Sequence, residues 1–191
     1  MDKLRLDFFD IMGYLIPGSA MLMAIWVTAD QQIVKLEDLY LFLQKISANV
    51  VLSGFVVAYT IGFTMHFAGS FIFYTRYPRL EKRRAKATDN LSNYWALIRE
   101  HGEKHLPILD RWQALKALAA NMSAFCLFAI LMCLTKWAQR GYWEWACLIP
   151  VFLLLFFAYL NRAKVFAEYL DKDSYAVFES LQLKTKLPEQ A

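Results

Sequence analysis

Residues 50–74 read VVLSGFVVAYTIGFTMHFAGSFIFY and contain no Asp, Glu, Lys or Arg. A helix of about 20 apolar residues crosses the hydrocarbon core of a bilayer, so this stretch predicts a membrane-spanning helix. Three further apolar stretches lie at about 8–28, 121–138 and 147–160. A buried helix of a soluble protein explains any one of them, but four in 191 residues leave too little polar chain to cover them. The sequence therefore predicts an all-α membrane protein with four spans.

The composition supports the same fold class. Hydrophobic residues make up 58% of the chain and the mean hydropathy is +0.30, whereas soluble domains are about 45–50% apolar. Three cysteines are too few for a disulfide-stapled secreted scaffold. Acidic residues at positions 2, 7 and 10 are unlike the basic start of a signal peptide. We therefore expect the first span to be retained.

The distribution of Lys and Arg predicts the orientation. Seventeen of the 21 lie in the N-terminal tail, in residues 75–120 or after residue 160, on one side of the predicted membrane. Loops rich in Lys and Arg stay in the cytoplasm. We therefore expect both termini and the central segment to be cytoplasmic.

This topology divides the chain into four parts. Residues 1–74 form a helix pair, 75–120 a basic helical cytoplasmic segment, 121–160 a second helix pair and 161–191 a cytoplasmic helical tail. Apolar residues at helical spacing between the first two spans predict an amphipathic outer helix at about 33–47. Two interpretations of this helix stay open: packing on the first span, or a sensing surface that faces the envelope.

Small residues recur at every turn of the second span, where Gly54, Ala58, Gly62 and Ser70 share one face with His66. Such residues let two helices approach closely in lipid, where hydrophobicity does not drive association. The pattern predicts a helix-packing seam, within the chain or between subunits of a homo-oligomer. His66 is either a neutral, hydrogen-bonded side chain or a residue for coupling or gating.

Asp10, Tyr14, Pro17 and Gly18 lie on one side of the first span. Proline lacks an N–H and clashes with the carbonyl one turn earlier, so we expect a kink. Asp10 is placed to pair with Arg162 at the inner end of the fourth span. One interpretation is a structural kink, and the other is a movable helix used for coupling or gating.

Six basic residues follow the second span. They are Arg76, Arg79, Lys82, Arg83, Arg84 and Lys86. Their charge alone would keep this loop inside the cell, and it would also attract anionic lipid or a partner protein. No module for base stacking or base reading accompanies them, so we expect no direct binding to nucleic acid.

The chain lacks the patterns of catalytic and metal sites. His101 and His105 have the spacing of zinc ligands, but Gly102 stands where a zinc protease has Glu, and no third ligand is near. Cys126 and Cys133, seven residues apart on one helix, are too distant to bridge each other, and a meeting of Cys133 with Cys147 at the outer turn is a minor alternative. We expect no catalytic residue, no metal, no cofactor and no enzymatic activity.

Short motifs carry a resemblance to a known class of proteins. They are Asp10, Tyr14, Pro17 and Gly18 in the first span, residues 110–115 (DRWQAL) before the third, and an aromatic-rich tail after Arg162. In these features the chain resembles bacterial four-span inner-membrane proteins found among anti-phage defence genes, such as the membrane subunit of Kiwa systems. The resemblance implies an oligomer that senses phage attack at the envelope and works with a cytosolic effector.

These observations lead to two functional hypotheses. The first is a non-enzymatic sensor or anchor whose partners are membrane lipids, further copies of itself and a cytosolic protein. The second is a pore that depolarises the cell, which requires a polar stripe facing a lumen. The third and fourth spans offer only Asn121, Ser123 and Thr135, near the ends of the third, and the second span offers a thin set: Ser53, Tyr59, Thr60, Thr64 and His66. This scarcity of polar residues favours the sensor.

Overall fold

The computed structural model describes residues 10–78 and 97–181, and within these ranges the fold is all-α, without strands. A π-helical turn, Ile11–Leu15, runs directly into α1, Ile16–Ala29. The other helices are α2 (Leu36–Lys45), α3 (Ala48–Arg76), α4 (Leu106–Arg140) and α5 (Trp143–Ser180). Four helical segments, Ile11–Ala29, Ser53–Arg76, Glu103–Arg140 and Trp143–Ser180, are long and apolar enough to cross a membrane. The predicted four-span fold class is confirmed.

Local sequence explains where α4 begins and ends. A 3₁₀ turn, Glu103–His105, precedes it, and Pro107 stands in its first turn, where a missing N–H leaves no bond unmade. Gly141 closes the helix with φ +71°, a conformation that glycine adopts without strain. The third span and the segment before it are therefore one helix of 35 residues.

The helix bundle has two ends, which we call the turn end and the terminal end. The turn end contains residues 30–47 and 141–142, and the terminal end contains Asp10, Arg76 and residues 97–112 and 165–181. At the turn end, side chains of α1, α4 and α5 form a core with the loop before α2: Ala24, Val27, Ile33, Met132, Cys133 and Trp145.

Helix α2 packs on this core. Leu36, Leu39 and Phe42 contact it, and the Phe42 ring meets the Trp26 ring of α1 edge-on at 5.0 Å. The helix is shorter than the predicted 33–47, because Ile33 lies in the loop before it. Packing, the first of the two interpretations of this segment, is the one observed, although Tyr40 on the opposite face is exposed.

A second core holds the terminal end together. Ile98, Leu109, Leu170, Val177 and Phe178 are buried there. We call residues 97–112 and 165–181, which build this core, the collar. The collar consists mainly of the extensions of α4 and α5, since both helices continue beyond the length that a bilayer needs.

Candidate functional site

The irregular start of the first span is closed by a side chain from α4. In an α-helix the N–H of residue 17 would bond the carbonyl of Gly13, but Pro17 has no N–H. In the π-helical turn the N–H of Ile16 bonds the carbonyl of Ile11, five residues earlier. The carbonyl of Gly13 accepts from Asn121 Nδ2 at 2.6 Å. Asn121 is fully buried. The carbonyl left by the proline is thus satisfied from another helix.

Two glycines bring α1 and α3 into backbone contact. A Cβ added to Gly18 would collide with the carbonyl oxygen of Ala58 and lie 2.8 Å from the nitrogen of Gly62. A Cβ added to Gly62 would collide with the carbonyl oxygen of Tyr14. Gly18 and Gly62 therefore have no room for a side chain. This close approach joins the Pro17–Gly18 pair of the first span to the small residues of the second.

The predicted seam of Gly54, Ala58, Gly62 and Ser70 faces other parts of the same chain. Gly54 lies in ordinary contact with Leu22 of α1, since an added Cβ would sit 3.7 Å from its side chain. Ala58 is buried. Ser70 faces α4 instead, where it lines a cleft. Of the two predicted alternatives, packing within the chain accounts for Gly54, Ala58 and Gly62.

Tyr14 is the aromatic centre of the α1–α3 contact. Its ring lies edge-on to the rings of Tyr59, at 5.7 Å, and of His66, at 5.8 Å. Tyr59 in turn donates its hydroxyl to Asp10 Oδ1 at 3.2 Å. Asp10, Tyr14, Tyr59 and His66 therefore form one polar and aromatic group at the terminal end.

Arg162, the expected partner of Asp10, lies elsewhere. It is exposed on α5, and the ion pairs found among the described residues do not include it. Asp10 accepts a hydrogen bond from Tyr59, where the sequence predicted a pair with Arg162. The Tyr59 hydroxyl is an uncharged donor to this carboxylate.

A polar clamp fastens the loop before α2 to α4 and α5. Lys136 is only 3% exposed, and its ammonium donates to the carbonyls of Asp30, at 2.7 Å, and Ile33, at 3.0 Å. The fully buried Trp145 donates its indole N–H to Val34 O at 2.7 Å. We call Lys136 and Trp145 the clamp. Both side chains donate hydrogen bonds to carbonyls of a loop, where no helical N–H group is available to bond them.

The start of α2 is secured by an acidic side chain. Asp38 accepts hydrogen bonds from the backbone N–H groups of Lys35, at 2.7 Å, and Val34, at 2.9 Å. These bonds favour the carboxylate and hold the pKa of Asp38 below its ordinary value of 3.8. Glu144 at the start of α5 also accepts from Leu36 N–H at 3.2 Å.

The collar has its own interhelix bond. Trp112 of α4 donates its indole N–H to Asp173 of α5 at 2.7 Å. The Trp112 ring also stacks on Phe166 at 6.0 Å and meets Tyr169 at 5.1 Å. The two extensions are therefore joined by polar and aromatic contacts as well as by the buried core.

The remaining predicted sites are only partly within the described residues. Arg76 is exposed at the end of α3, whereas Arg79, Lys82, Arg83, Arg84 and Lys86 lie outside the described ranges. The 3₁₀ turn Glu103–His105 separates His101 from His105, so the two imidazoles do not share a continuous helix.

The three cysteines are free thiols, so Cys133 and Cys147 do not pair. In the described part of the chain, no three metal-ligating side chains come together.

Asn121 and the clamp residues were not identified as site residues from the sequence. A lone Asn beside Ala119, Ala120 and Ser123 in an apolar helix was the available signal, because small neighbours allow another backbone to come close. In the sequence, Lys136 is one of the four Lys and Arg residues outside the three basic regions. Both act on main-chain carbonyls of another segment, which no sequence motif marks.

Comparison with protein families, with curated proteins and with solved structures finds no match to this chain. The functional assignment therefore depends on the packing and chemistry of the residues themselves.

Proposed function

We propose that this protein is a non-enzymatic membrane sensor or anchor that couples an event on the envelope side to a cytosolic partner protein. The observation that carries the proposal is the continuity of α4 and α5. Each helix runs unbroken from the clamp at the turn end to the collar at the terminal end. A displacement of the outer loop would reach the collar through two continuous helices.

The contacts at both ends suit such coupling. Lys136 and Trp145 hold the loop before α2 directly on α4 and α5, so a force on this loop acts on those helices. At the other end, Trp112 and Asp173 keep the two extensions together. Coupling between distant sites requires a physical link of this kind together with two arrangements of the linked element.

The collar is the surface that we assign to the cytosolic partner. It lies beyond the apolar part of α4 and α5 and exposes Tyr175 and Ile108. The basic residues between Arg76 and Lys86 would add attraction for anionic lipid or an acidic partner surface. We place both termini in the cytoplasm of a bacterium, as the distribution of Lys and Arg predicts.

Oligomer formation belongs to the same proposal, with a changed interface. Because Ala58 and Gly62 are used against α1 in the same chain, a second copy has to bind another face. The resemblance to four-span defence proteins, including the membrane subunit of Kiwa systems, supplies the proposed setting, in which the event sensed is phage attack.

A pore is the alternative, and one feature of α3 favours it. Ser53, Thr60 and Thr64 lie on an exposed stripe that several copies could turn toward a lumen. Their hydroxyls, however, donate to carbonyls of their own helix, Thr60 to Val56 and Thr64 to Thr60. Phe67 and Phe71 continue the same region of surface, so the stripe is only partly polar.

Site-specific photo-crosslinking in native host membranes tests the proposal. A photoreactive residue replaces Tyr175 in the collar and, as a matched control on the same helix, Leu154, which is exposed within the apolar span. We expect the Tyr175 position to crosslink a soluble protein that the Leu154 position does not reach. Lys136→Met should change that yield, while Lys45→Met, on the exposed side of α2, should leave it unchanged.

The opposite pattern would favour the pore. In that case neither position crosslinks a soluble protein, and liposomes that contain the purified full chain become permeable to ions.

A further inference from the structure

A cleft opens between α3 and α4 at the terminal end of the apolar region, with a volume of ≈ 70 Å³. Its polar side chains come from both helices. They are His66, Ser70, Tyr74, Gln113 and Lys116. The proposed function does not use this cleft. We infer that it binds the phosphate of a phospholipid headgroup.

The chemistry of the lining selects an anion. Lys116 brings a positive charge, and the Ser70 hydroxyl and the Gln113 amide are further donors. Among the described residues no Asp or Glu lines the cleft. Hydrogen bonds from a cation to a phosphate oxygen are among the strong ones in proteins.

The position of the cleft selects a lipid. Lys116 precedes Asn121 by five residues, so it lies about 7.5 Å along α4 from the buried bond to Gly13. Asn121 begins the apolar span predicted from the sequence, and the cleft is therefore at the level where headgroups meet hydrocarbon. Phe67 and Phe71, each next in sequence to a lining residue, are 70% and 73% exposed and would lie along an acyl chain.

The size of the cleft agrees with a phosphate group. A single water needs roughly 10–15 Å³ by this kind of measure, so ≈ 70 Å³ holds several waters or one phosphate group. A nucleotide base and sugar would not fit with it. The inference is independent of the proposed function, because an anchor and a pore could each hold such a lipid.

Native mass spectrometry of the full chain in mild detergent tests this site. Phosphatidylglycerol is titrated against wild type, Lys116→Gln and Lys172→Gln, the last removing an equal charge from an exposed position on α5. We expect Lys116→Gln to weaken phosphatidylglycerol binding about tenfold or more. Lys172→Gln should bind as the wild type does.

Two results would overturn the inference. Equal binding by the two lysine variants would remove the cleft from consideration. Competition by millimolar inorganic phosphate, with loss of the lipid, would assign the site to free phosphate instead. Should Lys116→Gln fail to fold, Gln113→Leu serves in its place, because Gln113 is exposed and its amide is also a donor to the proposed phosphate.

Discussion

The bond between Asn121 and Gly13 makes a sharp prediction about two substitutions on different helices. Asn121→Leu removes the donor that satisfies the Gly13 carbonyl. Pro17→Ala restores the backbone N–H that would bond the same carbonyl in a regular helix. Asn121→Leu should therefore destabilise the protein when Pro17 is present and have little effect once Pro17→Ala has been made.

Asn121→Leu has two opposing effects on stability: it leaves the Gly13 carbonyl without its donor, and it removes the buried Asn121 Oδ1. An orphaned buried carbonyl costs about 1–3 kcal/mol, and side-chain hydrogen bonds within membranes average about 0.6 with a maximum near 1.7 kcal/mol. We take about 1–2 kcal/mol, because Pro17 denies this carbonyl its usual donor. Asn121 Oδ1 has no hydrogen-bond partner among the described residues, so its removal returns part of that loss. This gain from removing Asn121 Oδ1 is the same with Pro17 and with Pro17→Ala, so it cancels in a double-mutant cycle.

The cycle is measured by reversible unfolding of the full chain in mixed micelles, followed by helical circular dichroism. We expect a coupling free energy of about 1–2 kcal/mol between Asn121→Leu and Pro17→Ala. Pro150→Ala is the matched control, since Pro150 also lies inside a spanning helix but is exposed on α5. Coupling below about 0.5 kcal/mol, or equal to that with Pro150→Ala, would refute the role given to the Gly13 carbonyl.

Three further predictions concern the helix contact, the clamp and the start of α2. Gly62→Ala should unfold the chain in conditions that Gly54→Ala survives, because only the first Cβ meets backbone; equal thermal stability in detergent would contradict this. Lys136→Met should expose the loop before α2 to protease by leaving two carbonyls unbonded, whereas Lys45→Met should not; identical digestion patterns would argue against the clamp. The lowered pKa of Asp38 means that its contribution to stability is present above pH 3.8 and is lost as the pH falls through the lower folded value. In that pH range, hydrogen exchange at the start of α2 should become faster relative to the intrinsic rate of the amides. Asp38→Asn should remove this pH dependence.

The spans were predictable because each depends on a local property. Residues 50–74 lack charge over a length that a bilayer requires, and the structure has α3 at Ala48–Arg76. The stop of α4 at Gly141 and its start beside Pro107 follow from single residues. The close contact at Gly62 was also foreshadowed, because small residues every fourth position have a specific physical use.

The polar contacts were harder to predict because their acceptors are main-chain carbonyls. Asn121 reaches a carbonyl 108 positions away, whose usual α-helical donor is missing because residue 17 is proline. Lys136 reaches the loop after α1 in the same way. A sequence shows the donor in both cases, but the acceptor is created by the local geometry of another helix. The expected pair of Asp10 with Arg162 is not among the ion pairs of the described residues, and Asp10 accepts the Tyr59 hydroxyl instead.

Two donors from α4, Asn121 and Lys136, reach α1 and the loop after it, and this decides where a hinge can form. Asn121 and Lys136 are 15 residues apart, so they act about 22 Å from each other along one helix. They satisfy a carbonyl at each end of α1, Gly13 O and Asp30 O, and α1 is therefore tied to α4 at two levels. Bending at Pro17 has to break the first bond in apolar surroundings, at a cost of about 1–3 kcal/mol.

A cost of that size leaves the bent form at roughly 0.6–16% of the molecules. Such a population is too small to be the resting state and large enough to be selected by a ligand that prefers it. Movement that leaves both bonds intact must instead carry α1 and α4 together, and it would reach the collar through α4. Bending at Pro17 and a joint movement of α1 and α4 are thus competing routes, and Asn121→Leu should raise the population of the first.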